Sequence, residues 1–450
     1  MLARALIIMF LAGLFCSTSA MGQTTTCGNT KLACLLPTAF HTNPPTFNFF
    51  NEAFGTRIAQ LPLATPASGF LFTFDKALGV YTDSQESFGP LLAERAETIG
   101  RHKLYLAFTY QHFGFTELDG NSLKNLPLLF QFPDEQSAQV VTSTENRVDT
   151  KVDQFVAFGT FGLTRTIDVS LAVPFETISM SARTAGTEFS TSNAAQASFT
   201  ELVSGSASGI GDMVISAKGT LMKGERLGLA VGGEFRLPTG DEQNFLGSGA
   251  IGLKPYFVLA SSGRFAPHLN VGYQWNAKSS LASNQQGKQN LPAFFSYAAG
   301  ADIGLSKRLT VVADWVGQFY SDAPQISTPR NLSATVNQKP QTLPSVVLVN
   351  GSYQLNSLAV GLKANPTRHL LVTANTTFEV GNGGLRTRMV PLVGISYSFS
   401  DLHLPSFSRS QNPKCACPKE CSRMDSDVLE ALGLRLRTGS SLCADFEILV

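Results

Sequence analysis

From Gly211 to Leu237 apolar and polar residues alternate along two stretches joined by a short turn at Lys223, Gly224 and Glu225. In the first, Met213, Ile215, Ala217, Gly219 and Leu221 oppose Asp212, Ser216, Lys218 and Thr220. In the second, Leu227, Leu229, Val231, Phe235 and Leu237 oppose Arg226, Gly228, Ala230, Gly232, Glu234 and Arg236. A period of two is that of a strand with one apolar face and one wet face. Pro238, Thr239, Gly240 and Asp241 then open a longer polar loop.

The same unit recurs from His102. Leu104, Leu106, Phe108 and Tyr110 oppose Lys103, Tyr105, Thr109 and Gln111; a polar stretch from about Phe115 to Thr150 reads as a long loop, and a strand returns through Phe155 and Phe161. After the turn Thr164-Arg165-Thr166, Ile167, Val169, Leu171, Val173 and Phe175 alternate with Asp168, Ser170, Ala172 and Glu176, and a Ser/Thr/Ala-rich loop runs to about Gly209. Further strands pass through Leu253, Phe257 and Leu259, through Leu269, Val271, Tyr273 and Trp275, through Phe295 to Ile303 and through Leu309 to Phe319. Long loops are expected from Ala277 to Asn290 and from Ser321 to Tyr353, and three last strands at Leu355 to Ala364, Arg368 to Val380 and Thr387 to Phe399. That gives about twelve strands of roughly ten residues, with short turns and long loops in strict alternation, the plan of an all-β, antiparallel up-and-down transmembrane barrel. A soluble sandwich has no reason to keep such a plan.

Composition agrees. Charged residues make up 15% of the 450 residues, below the roughly 25% of soluble domains, yet no mature stretch is apolar for the ~18 residues of a membrane helix. The 39 glycines and 33 phenylalanines suit tight turns and aromatic girdles, and Tyr273, Trp275, Trp315, Phe319, Tyr397 and Phe399 fall near strand ends. A net charge of +1 without a basic cluster excludes a nucleic-acid binder. Residues 1–22 have the form of a cleavable secretory signal, with Arg4, an apolar core from Ala5 to Phe15 and small residues at Thr18-Ser19-Ala20 or Ala20-Met21-Gly22, so the chain is expected to be exported. Leu14 and Phe15 are too bulky for Cys16 to be a usual lipidation site. Residues 23–101 form an N-terminal periplasmic or plug segment, with a strand-like run from Gly69 to Tyr81 and a short amphipathic helix expected over Leu91–Ile99. In an oxidising compartment Cys27 and Cys34 could close a small loop, or they could stay as two thiols in a leader.

Charges on the strands must face the lumen, because Lys or Arg near the bilayer midplane costs roughly 2–4 kcal/mol on the lipid side. Asp212, Lys218, Glu234 and Arg236 share one side, and Lys254, His268, Asp302 and Asp314 join them as candidate lumen-lining residues. They either neutralise one another and stiffen the wall or line a constriction that screens solutes by charge. His268 and His369 both read as inward-facing. A barrel hydrolase with a Ser and His pair is the rival, but no G-x-S-x-G elbow is present and no catalytic residue is assigned. Gly247-Ser248-Gly249-Ala250-Ile251-Gly252 fits a dinucleotide fingerprint, yet it opens a strand rather than a helix, and reads as small residues at a barrel rim.

The chain resembles the bacterial outer-membrane barrel transporters linked to phenol degradation by the meta-cleavage pathway, over roughly Gly69 to Phe399. The resemblance rests on Gly211-Asp212 with Lys218, Arg236-Leu237-Pro238-Thr239-Gly240-Asp241, Val271-Gly272-Tyr273, the close Pro391 to Phe399, and the block Glu94-Arg95-Ala96-Glu97-Thr98-Ile99-Gly100. It implies an outer-membrane location and uptake of small, often hydrophobic compounds, with no cofactor and no catalytic residues. Expected partners are outer-membrane lipid, a small solute, and the barrel-assembly machinery, which reads a terminal strand such as the one ending at Phe399. The barrel proper is expected at 102–399. The extension 400–450 departs from the family pattern. Its Cys415, Cys417, Cys421 and Cys443 could bind a soft metal or form disulfides, but without histidine or acidic partners at finger spacing it reads as a passive tail, with a short helix from Asp427 to Leu436. Passive passage of small, hydrophobic or aromatic solutes is the expected function. The alternatives are a phospholipase-like barrel hydrolase and a closed structural or surface-binding barrel.

Overall fold

The computed structural model describes residues 31–39, 48–63, 72–75, 80–83, 87–88, 90, 92–133, 139–191, 195–224, 226–284, 287–367 and 369–399. The signal-like stretch, Cys27 and the tail 400–450 with its cysteines and expected helix lie outside them. Twelve strands make the wall. They are β1 (Leu104–Leu118), β2 (Gln139–Gly162), β3 (Ile167–Ser190), β4 (Val214–Lys223), β5 (Leu227–Arg236), β6 (Gly252–Ser261), β7 (Phe265–Asn276), β8 (Phe294–Ser306), β9 (Leu309–Ile326), β10 (Leu348–Thr367), β11 (Leu370–Val380) and β12 (Met389–Phe399). Each pairs antiparallel with its successor, and β12 pairs back onto β1, with Leu104 opposite both Phe161 and Phe399. The ring is therefore closed, and no edge of it is left to seek another strand.

Apolar side chains point outward around this ring. Phe108, Phe155, Leu253, Phe257 and Ile395 are at least half exposed, while Gln111, Asp168, Tyr256, His268 and Asp314, on the opposite parity of the same set of strands, are buried. An apolar belt of this extent is far larger than the few hundred Å² a soluble monomer exposes, so it meets lipid. No helix among the described residues is long and apolar enough to cross a membrane. On the outer face Tyr273 contacts Trp275 at 4.9 Å at the loop end of β7 and Tyr397 contacts Phe399 at 4.7 Å at the short-turn end of β12, ring centre to ring centre. Trp315 lies deeper, opposite Ala299 and Leu358.

The long loops differ from expectation. The stretch Phe115 to Thr150 and the Ser/Thr/Ala-rich stretch before Gly209 are β-structure: β1 to β3 continue past the belt, Leu126–Pro133 pairs with the far part of β2, and Gln196–Ile210 pairs with the far part of β3. Hairpins Lys278–Asn284 with Gly287–Asn290, and Arg330–Val336 with Lys339–Ser345, occupy two other expected loops. The second turns through Asn337 and Gln338 at φ 52° and 60°, the left-handed pair that a two-residue hairpin turn requires. The reason is an inversion of the pattern. Beyond the membrane Arg147, Asp149 and Lys151 face water while Val148, Val152, Ile178, Met180 and Ala182 turn inward. There they form a core with helices α1 (Leu35–Ala39) and α2 (Asn48–Ile58), through Leu36, Phe54, Ile58, Phe113, Phe245 and Leu281. An apolar core thus lies at the loop end of the barrel.

Candidate functional site

At the short-turn end residues 87–88, 90 and 92–100 lie within the lumen. The helix expected over Leu91–Ile99 is absent, and the described residues there are irregular. Their backbone groups are instead taken by inward side chains of the wall. Phe88 N donates to Thr310 Oγ1 at 3.1 Å, Leu92 N to Asp314 Oδ2 at 3.0 Å and Ile99 N to Asp168 Oδ2 at 2.8 Å. Lys363 Nζ donates to the Pro90 carbonyl at 2.5 Å, and Thr220 Oγ1 to the Ala96 carbonyl at 2.6 Å. A segment that satisfies its polar backbone this way needs no helix of its own.

Side chains complete the attachment. Lys218 pairs with Glu94 at 2.8 Å, the Ser87 hydroxyl donates to Asp302, and Arg95 Nη2 donates to the Ser87 carbonyl at 2.8 Å. His268 lies between two carboxylates, with Nε2 2.8 Å from Asp314 and Nδ1 3.5 Å from Asp302. Adjacent strands deliver these three: His268 stands opposite Gly300, and Gly300 opposite Asp314, where a Cβ would overlap the carboxylate. The charges at this level dock the N-terminal segment.

Nearer the loops, Arg57 of α2 pairs with Glu379 at 2.6 Å, Tyr320 donates to Gln60 at 2.9 Å, and Gln111 donates to the Pro62 carbonyl at 3.0 Å. Asp212 closes the kink between Gln196–Ile210 and β4. It accepts from Gly240 N at 3.2 Å, Ser248 N at 2.8 Å and Ser248 Oγ at 2.5 Å, while Thr239 Oγ1 donates to the Gly211 carbonyl at 2.7 Å. The Gly211-Asp212 and Arg236-to-Asp241 motifs therefore fasten one wall joint. Asp241 accepts from Lys31 at 2.6 Å and caps the turn Glu242–Asn244.

Between the two anchored parts of the segment a chamber of about 180 Å³ remains. Leu61, Pro62 and Leu63 bound it on one side and Leu92 and Glu94 on the other. Phe158, Tyr256 and Phe294 give it aromatic walls, and Glu234, Lys254, Arg236, Asn270, Gln274 and Gln318 its polar groups. Tyr256 lies flat because its cross-strand partner is Gly232, where any Cβ would overlap the phenol ring. Glu234 and Lys254 face each other across β5 and β6 with their charged groups 2.7 Å apart.

The candidate residues thus fall into separate groups. Lys218, His268, Asp302 and Asp314 join the docked segment, Asp212 the wall joint, and Glu234, Lys254 and Arg236 the chamber. His369 stands apart, in the short turn before β11, its ring 5.9 Å from that of outward-facing Tyr397. Cys34 is buried and disulfide-bonded. Lys363, Arg57, Glu379 and Tyr256 escaped the sequence reading; an inward Gly opposite a Tyr, as at Gly232, was the one signal for the last.

No curated protein matches the chain. Among solved structures, an outer-membrane channel from Pseudomonas putida F1 is 10% identical, over 68% of this chain and 98% of that one, with a TM-score of 0.39. A deletion mutant of the TodX monoaromatic hydrocarbon channel is 10% identical over 76% and 98%, TM-score 0.33, and a FadL homologue from Pseudomonas aeruginosa is 10% identical over 75% and 97%, TM-score 0.29. Likenesses this loose carry no functional weight. The model of the family described as "Putative MetA-pathway of phenol degradation" matches residues 131–336, and it meets the resemblance that the motifs on and around β4 and β5 had carried.

Proposed function

We propose that the protein is an outer-membrane barrel, with its short turns in the periplasm and its long loops outside, that passes small hydrophobic or aromatic solutes without a cofactor. The chamber carries this reading. At about 180 Å³ it compares with the roughly 150 Å³ apolar cavity that holds one benzene, and its rings offer flat faces to such a molecule. The family match supports the choice of solute class. With the apolar core on one side of the chamber and the docked segment on the other, passage on this reading requires the N-terminal segment to shift.

A hydrolase is less well supported. The Ser87 hydroxyl goes to Asp302 rather than to the imidazole of His268, and both are buried, out of reach of a lipid ester. Uptake of toluene and phenol into proteoliposomes, compared with liposomes lacking protein, tests the proposal. Uptake no faster than through bare lipid would leave a structural or surface-binding barrel.

A further inference from the structure

Asp168, Lys218, Asp302, Asp314 and Lys363 all hold the N-terminal segment, and the side chains of His268, Asp302 and Asp314 retain 2% of their surface or less. Glu234 and Lys254 differ. They pair only across the wall, at 2.7 Å, and keep 28% and 22% of their side-chain surface open, in a chamber whose other walls include three aromatic rings.

A solute seated there displaces the water of an ion pair, and its chemistry decides the outcome. A bare hydrocarbon returns no hydrogen bond, so the pair is left desolvated. An aromatic carboxylate sets a third charge beside Glu234, and the neighbouring cation, Arg236, lies within electrostatic reach of Asp212 and Glu176, so no surplus positive charge awaits it. A neutral phenolic hydroxyl fits both halves of the pair: its O–H donates to the Glu234 carboxylate and its oxygen accepts from the Lys254 ammonium. Gln60 and Arg236, which also line the chamber, each bury a nitrogen, Nε2 and Nη1, that has no acceptor among the described residues. Donors are thus in excess, and a ligand oxygen complements them.

We propose that Glu234 and Lys254 are the specificity-determining pair of the chamber, selecting neutral hydroxyl-bearing single-ring aromatics over the bare hydrocarbon and over the aromatic carboxylate. This rests on the chamber being the solute site proposed above. The test is calorimetric titration of the full chain in detergent with phenol, toluene and benzoate. Phenol should bind about tenfold or more tighter than either, the scale of one hydrogen bond to a charged group. The double variant Glu234→Gln/Lys254→Met, which removes the charges that toluene would desolvate, should abolish the preference and bring phenol and toluene to one level. The exchanged pair Glu234→Lys/Lys254→Glu, which keeps one donor and one acceptor, should restore the preference and shows that loss in the first variant is not misfolding. Equal binding of the three ligands by the native protein, or an undiminished preference in the double variant, overturns the proposal. Gly232→Leu, which drives Tyr256 into the chamber, separates the two readings: if this variant binds phenol as the native protein does, the chamber is not the site at all.

Discussion

Single residues set the shape of the lumen. Gly232 is the clearest case, since its missing side chain is the space in which Tyr256 lies against the wall. Gly232→Leu should cost about 3 kcal/mol or more of overpacking, because its Cβ would meet the Ala217 carbonyl at 2.8 Å as well as the Tyr256 ring, and should abolish toluene and phenol binding; a thermal melt beside the titration checks both. The same device acts on the lipid side, where Tyr297 lies across Gly317 and donates to Asn356 at 2.5 Å. Asp314 carries a different load, because His268 and the Leu92 amide both depend on it. Asp314→Ala should destabilise the protein by about 3–5 kcal/mol, as expected when one member of a buried charged group is removed, and denaturant unfolding in detergent measures it. At this scale the sequence was informative about direction and silent about partners. Parity places Asp302 and Asp314 inside from period two alone, whereas their attachment to Ser87 and Leu92 joins residues 215 and 222 positions apart.

At the scale of elements, helix α1 packs beside Gln196–Ile210, and the Lys31–Asp241 pair ties the residues just before it to the turn Glu242–Asn244. Burial alone would raise the Asp241 carboxyl, but Lys31, the Gln243 amide and the Asn244 side chain together hold it below the usual carboxylate range. A carboxyl held low in the folded state contributes stability that is full above its unfolded value, near 4, and is lost as pH falls through its folded value. Amide protection over residues 31–39, taken relative to the intrinsic exchange rate at each pH, should therefore be higher at pH 7 than at pH 3, and Asp241→Asn should show the lower protection already at pH 7. The pair is more than one third exposed, so the change is local and modest. Elements also mark where pattern reading stopped. The membrane-crossing parts of the strands were legible because lipid demands apolar residues at alternate positions. Their extensions were not, because beyond the bilayer the demand reverses, and a run such as Glu145 to Lys151 then reads as polar loop. The expected helix over Leu91–Ile99 failed for a related reason: alternating Glu94, Arg95 and Glu97 suit a solvated helix face, but here Glu94 and Arg95 answer wall charges that lie far off in sequence.

For the whole molecule, a closed wall filled at the loop end by apolar packing and at the turn end by a docked segment should conduct poorly. In planar bilayers the native chain is expected near the baseline, and a variant lacking residues 31–100, which removes both the helices at the loop end and the docked segment at the turn end, should open to stable ion conductance. Equal traces from both would mean that the segment does not block the way. The twelve-strand ring and its even closure followed from counting turns; the filling of the lumen did not, because no local pattern announces that a strand's wet face will be met by another part of the same chain. The docked segment has one more consequence. It leads directly into β1, the strand against which β12 shuts the ring, and it touches β3, β4, β8, β9 and β10 on the way. The peptide inside therefore braces five staves of the cylinder at once, so the bore at the turn end is held from within as well as by the seam between β1 and β12.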